Sequence, residues 1–216
     1  MDEHVPEETI ILVHGIWMNG LDMGLLGKRL AAEGFQIHRF RYASVRASPS
    51  ENAGKLDCFT QSIDAPVIHF VCHSLGGLVL RHLLHDCPEH KPGRIVTLGT
   101  PHQASSAARQ LSRIAPGRLV LGHSVEHALL GGAPPWPGGR ELGVIAGTLR
   151  MGMGMFIPGI PTPSDGTVAV AETILAGMKD HITLPVSHLG LLLSYRVFRQ
   201  AIKRGHGGLN LIADTL

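Results

Sequence analysis

The sequence predicts an α/β domain: about six mostly parallel strands with helices on both faces of the sheet. Three observations carry that expectation. Short apolar runs of strand length alternate with segments of helical period, the pattern of β-α-β units. The chain has 216 residues and is 44% hydrophobic, enough for one large core but too short for two full domains, so residues 1–216 read as a single domain. No internal repeat and no long linker divides it.

The elements follow in order. Thr9–Val13 (T-I-I-L-V) has the β-branched, aliphatic make-up of a buried strand. A helix is expected to start near Leu21 or Asp22, with Leu26 and Leu30 as i,i+4 neighbours and Gly34 as its stop. Phe35–Phe40 is the next strand, 41–49 a loop, and Glu51–Ser62 a short helix. Val67–Cys72 is the central strand. A helix from Leu75 to about His85 follows it, and Pro88 lies beyond that helix's end. Arg94–Leu98 is another strand. Residues 100–140 contain no strong strand, and they read as a small helical lid or cap that ends in a Gly- and Pro-rich loop. Leu142–Thr148 is a strand, 151–164 is irregular, and Lys179–Leu184 is a short last strand. Leu189–Lys203 reads as one terminal helix with Leu191, Tyr195, Phe198 and Ile202 on one face.

Composition excludes several functions. The net charge of +2 comes from scattered Lys and Arg with no dense basic block, which argues against a nucleic-acid partner. An apolar fraction this high excludes disorder as the main state. Three cysteines, Cys58, Cys72 and Cys87, are an odd number without framework spacing, so reduced thiols and a cytoplasmic location are expected. The N-terminus is acidic and leads into an apolar run of only about five residues, unlike a secretory signal. No stretch approaches the ~20 apolar residues of a membrane helix, so stable insertion is not expected, although contact with a lipid surface remains open. Fourteen histidines invite a zinc reading, but there is no H-E-x-x-H and no cysteine pair, so no metal is expected.

The informative stretch is Val71-Cys72-His73-Ser74-Leu75-Gly76-Gly77. A serine hydroxyl is a weak nucleophile unless a base takes its proton. One solution sets it on a sharp turn between a buried strand and a helix. That turn needs small residues two before and two after the serine, here Cys72 and Gly76. His14-Gly15-Ile16 follows the first strand, and its glycine allows a loop that aims the Ile16 amide at a developing oxyanion; the Leu75 amide is the second expected donor. An orienting acid and then a base should follow in chain order. Asp165 and Asp180 are the acid candidates. Asp165 falls at the C-terminal edge of the sheet and Asp180 at the opposite edge, which favours Asp165. His188 follows the last strand at the same edge, whereas His181 sits at that strand's beginning. Trp17, His73, Met153 and Met155 are expected to line the substrate pocket, with His73 packing beside the site and not reacting. Cys72 and His102 are read as packing residues.

These residues resemble the α/β-hydrolase family, especially the small bacterial lipases and esterases with little or no lid. The resemblance rests on V-H-G-I at 13–16, C-H-S-L-G-G at 72–77, G-T-P-H at 99–102, S-D-G-T-V at 164–168 and S-H-L at 187–189. It departs at Cys72, where the usual G-x-S-x-G has glycine. The resemblance implies Ser74 as nucleophile, Asp165 as acid, His188 as base, and the Ile16 and Leu75 amides as oxyanion hole. It also implies the minimal version of the fold, because the chain begins almost at the strand bearing His14. Larger calcium-dependent relatives carry an acidic residue just after the catalytic histidine. Leu189-Gly190 stands there, so no such calcium site is expected.

The expected activity is hydrolysis of small-molecule or lipid acyl esters through an acyl-enzyme, with no cofactor. The same site suits thioesters or amides. A non-catalytic binding protein on this scaffold is the alternative of another class.

Overall fold

Strand β1 (Thr9–Val13) is buried along its whole length, as a strand covered on both faces must be. The computed structural model describes residues 8–152, 155 and 157–202, and the backbone of 204–205 and 208–209. The chain then runs through α1 (Gly24–Ala32), β2 (Gln36–Phe40), α2 (Pro49–Gln61), β3 (Ile68–His73), α3 (Leu75–Asp86) and β4 (Ile95–Leu98). It continues through α4 (Ser106–Leu111), α5 (Ala115–Leu121), β5 (Leu142–Gly147), β6 (Asp180–Leu184), α6 (Gly190–Leu193) and α7 (Tyr195–Ala201).

The six strands form one sheet in the order β2-β1-β3-β4-β5-β6, and every neighbouring pair is parallel. Alternate side chains of the strands build two cores. Ile10, Leu12 and Val71 pack against Leu26 and Leu30 of α1 and Val197 and Phe198 of α7. Ile11, Val13, Phe70 and Cys72 face the other way, onto Leu56 of α2 and Val79, Leu80 and Leu83 of α3. The chain moves from β1 outward to β2 and then returns past β1 to β3. That reversal opens a crevice beyond the C-terminal ends of β1 and β3, the usual ligand position in an open parallel sheet.

Several strands are offset by one residue at an end from the sequence expectation; three helical segments differ by more, each for a local reason. Helix α1 starts at Gly24 because Asp22 Oδ1 accepts from the Asn19 and Gly20 amides, which makes 19–22 a turn. Helix α2 starts at Pro49 because Ser48 and Glu51 form a capping box. The single terminal helix is two helices. Ser194 is extended (φ −69°, ψ 129°) and its side chain accepts from the Arg196 amide to start α7. As a result Leu191, Phe198 and Ile202 are buried, but Tyr195 is 58% exposed.

The three cysteines are unpaired. Among the described residues, no helix is long and apolar enough to cross a membrane.

Candidate active site

Ser74 sits between β3 and α3 at φ 52°, ψ −121°, a conformation that costs a non-glycine residue of order 1–3 kcal/mol. The surrounding structure holds it there. The Ser74 amide donates to the Leu98 carbonyl at 2.9 Å, and Thr100 Oγ1 donates to the Ser74 carbonyl at 2.9 Å. Small residues make the turn feasible. A Cβ on Gly76 would stand 2.5 Å from the Val13 carbonyl oxygen and 2.7 Å from that of His14. Cys72 is fully buried in the core beneath the turn, and burial pushes its thiol pKa well up, so it stays a neutral packing group.

The Asp165–His188 pair is built by loops beyond β5 and β6. His188 Nδ1 donates to Asp165 Oδ2 at 2.7 Å. The other oxygen, Oδ1, accepts from the Thr167 and Val168 amides at 2.8 and 2.7 Å. The two loops are also tied through backbone, the His188 amide donating to the Asp165 carbonyl at 3.0 Å. Asp165 is only 1% exposed, so these donors replace its hydration. Gly99 provides the room: a Cβ there would lie 3.1 Å from both Asp165 Oδ2 and His188 Cε1. Asp180 and His181, by contrast, lie on β6 away from this pair. Asp180 pairs across the sheet with Gly143, and His181 Nε2 contacts Thr173 Oγ1 at 2.8 Å.

The loop after β1 abuts Ser74. A Cβ on Gly15 would fall 3.1 Å from Ser74 Cβ and 2.9 Å from His73 Nδ1. His14 anchors this loop. Its Nδ1 donates to the Gly15 carbonyl at 2.8 Å, and its Nε2 accepts from the Tyr42 amide at 3.4 Å. Tyr42 stacks on the ring at 4.2 Å and donates its hydroxyl to the His14 carbonyl at 2.7 Å. Burial lowers the His14 pKa, which keeps the ring in the neutral form that this pattern requires. His73 is fully buried, and its Nε2 donates to the His188 carbonyl at 3.3 Å. Desolvation, reinforced by the adjacent His188, holds its pKa well below the usual histidine value.

Some of these groups border a cavity of about 710 Å³. Ile16, Trp17, His73, Ser74 and His188 all line it, and its walls are mostly apolar, including Leu111, Val120, Leu129 and Ile157. Helices α4 and α5 form one side, through Ala107, Ala108, Leu111, Val120 and Leu121. Trp17 fastens that side to the loop after β1, its Nε1 donating to the Val120 carbonyl at 2.9 Å.

The structure therefore sets Ser74, His188, Ile16, Trp17 and His73 on one cavity wall, with Asp165 bonded to His188 behind it and Leu75, next to Ser74, packed with Ile16. Met155 is 55% exposed and outside the cavity wall, which Met151 and Gly152 supply instead. Met153 lies outside the described residues. Sequence reasoning assigned no role to Tyr42 or Thr100. For Tyr42 the signal was position, just past the C-terminal end of β2; Thr100 also lay within the G-T-P-H stretch at 99–102.

No family model matches the sequence, and no curated protein matches it. Solved structures do. The mature lipase BlEst2 of Bacillus licheniformis superposes with a TM-score of 0.69 at 21% identity, over 91% of this chain and 93% of that one. A metagenomic carboxyl esterase gives 0.69 at 14% identity, over 85% and 65%. The carboxylesterase CesB of Bacillus subtilis gives 0.55 at 14% identity, over 89% and 83%. The chain has the α/β-hydrolase fold in the form found in these bacterial lipases and esterases.

Proposed function

We propose that the protein is a serine hydrolase of carboxylic acyl esters. The observation that carries the reading is that His188, bonded to Asp165 at 2.7 Å, shares the wall of an apolar cavity with a backbone-strained Ser74. In this mechanism Ser74 Oγ attacks the acyl carbonyl carbon while His188 Nε2 takes its proton. Asp165 keeps the histidine proton on Nδ1 and stabilises the imidazolium. The Ile16 and Leu75 amides hold the tetrahedral oxyanion, each donor of this kind contributing about 3–4 kcal/mol. The alcohol leaves with the proton from His188. Water then attacks the acyl-enzyme by the same path, and the acid is released.

The apolar walls favour an aliphatic acyl group. The volume of about 710 Å³ is that of a pocket for a small or medium ligand. Within residues 100–140, α4 and α5 act as a low lid over the acyl site, latched by the Trp17–Val120 bond.

The test is turnover of p-nitrophenyl esters from acetate to palmitate by the wild type and Ser74→Ala. The expected result is turnover that the variant loses, with an optimum at an intermediate chain length. Fluorophosphonate labelling of Ser74 without turnover of any ester would move the assignment to a thioester or amide. Neither labelling nor turnover in folded protein would leave a binding protein.

A further inference from the structure

We propose that Asp57, Cys87 and His90 form a binding site for a zinc-class divalent metal ion, separate from the ester-hydrolase site and independent of that reading. Asp57 lies in the last turns of α2, Cys87 directly follows α3, and His90 follows in the connection to β4. Their donor atoms all lie within 4.8 Å of one another. His90 Nε2 and Asp57 Oδ1 stand 3.6 Å apart, too far for a hydrogen bond. That spacing suits two ligands of one ion, because tetrahedral bonds of about 2.0–2.3 Å hold their donors roughly 3.3–3.8 Å apart.

A second observation points the same way. The His90 side chain is only 5% exposed, and both its Nε2 and Asp57 Oδ1 are buried without a hydrogen-bond partner. Buried polar atoms left without hydrogen bonds are unfavourable, and an ion that both can contact would satisfy the two together. The carboxylate is already oriented for one. Gln61 Nε2 donates to Asp57 Oδ2 at 2.8 Å, which fixes the group and leaves Oδ1 toward His90. A bound ion would satisfy both atoms and take the Cys87 thiolate as its third protein ligand.

The donor set selects the metal class. One sulfur, one imidazole nitrogen and one carboxylate oxygen suit borderline zinc, not calcium or magnesium, which take oxygen. Two anionic ligands balance the charge of a divalent cation. Cys87-Pro88-Glu89-His90 also has the two-residue gap common between paired zinc ligands. The site is remote from Ser74. Ser74 opens α3 and Cys87 closes it, and a helix of twelve residues is about 18 Å long. The ion would therefore tie the end of α2 to the end of α3 and act on stability.

The experiment is a Co(II) titration of the full chain after chelator treatment, followed by Zn(II). One equivalent of Co(II) is expected to give thiolate-to-cobalt charge-transfer absorption that Zn(II) abolishes. Cys87→Ser should remove the absorption, while Cys58→Ser, at the exposed thiol next to Asp57, should keep it. Losing even an outer-sphere partner costs about 10–100-fold in metal affinity, so His90→Ala and Asp57→Asn should each weaken binding at least about tenfold. Zn(II) should also raise the Tm of the wild type more than that of Cys87→Ser. No charge-transfer absorption in folded wild type would overturn the proposal, as would absorption that survives Cys87→Ser or is lost in Cys58→Ser.

Discussion

Replacing Asp165 by Asn changes one heavy atom, yet the structure dictates a large effect. Asp165 Oδ1 accepts from two backbone amides, at 2.8 and 2.7 Å. Those donors need an acceptor, so the asparagine oxygen must take the Oδ1 place. The amide nitrogen is then forced to the Oδ2 place, which faces His188 Nδ1 at 2.7 Å. Two donors cannot share that bond. His188 responds by moving its proton to Nε2, leaving Nδ1 to accept, and an Nε2 that carries hydrogen cannot take the Ser74 proton. A wrong tautomer of this kind lowers kcat about 10⁴-fold in the serine protease that is the reference case. The same loss is expected here, about 5 kcal/mol of transition-state stabilisation. Because the packing and both amide bonds persist, KM and Tm should change little. The assay is kcat and KM on p-nitrophenyl butyrate, with the fluorophosphonate labelling rate as an independent readout of Ser74 reactivity. Retention of activity within about tenfold would mean that Asp165 does not orient His188, most clearly if Asp180→Asn lost it instead.

Three further predictions follow from other parts of the fold. His102 is buried and its pKa is lowered to about 3, by desolvation first and then by the Arg81 charge. The folded state therefore declines a proton that the unfolded chain takes near 6.5, so this group's stability contribution is complete above about pH 6.5 and is lost as pH falls toward 3. The unfolding free energy from urea titrations should drop across that window by up to about 1.4 kcal/mol per pH unit, and His102→Gln should flatten the slope. Gly76→Ala puts a methyl within 2.7 Å of two backbone carbonyl oxygens that are not free to move, so it should cost about 1–3 kcal/mol and lower Tm by roughly 2–12 °C, with activity falling as Ser74 shifts. Trp17→Ala breaks the bond to the Val120 carbonyl and frees α5, so KM for long-chain esters should rise while acetate turnover holds; equal effects across chain lengths would remove the latch from the account.

What the sequence made legible was whatever depended on short-range pattern. Strand β1 has the predicted bounds because four consecutive aliphatic residues suit a site buried on both faces. The Ser74 turn was readable because its steric demands fall on neighbours two positions away, Cys72 and Gly76. The placement of Asp165, and not Asp180, beside His188 needed only the direction of a parallel strand. Features made by one hydroxyl or by distant partners stayed hidden. The break at Ser194 turns on a single side-chain bond that hydrophobic period does not register. Tyr42 reaches His14 across 28 positions, and Trp17 reaches Val120 across 103, joined only by the fold. Asp57 joins Cys87 and His90 in the same way, through the packing of α2 on α3.

If Ser74 is the activated nucleophile proposed above, covalent labelling will find it. Folded wild-type protein would be treated with a fluorophosphonate and measured by intact and peptide mass spectrometry beside Ser74→Ala. One covalent adduct per chain is expected, on Ser74, absent from the variant and strongly slowed by Asp165→Asn. A folded wild type that takes no label, or takes it on a residue other than Ser74, would contradict the proposal.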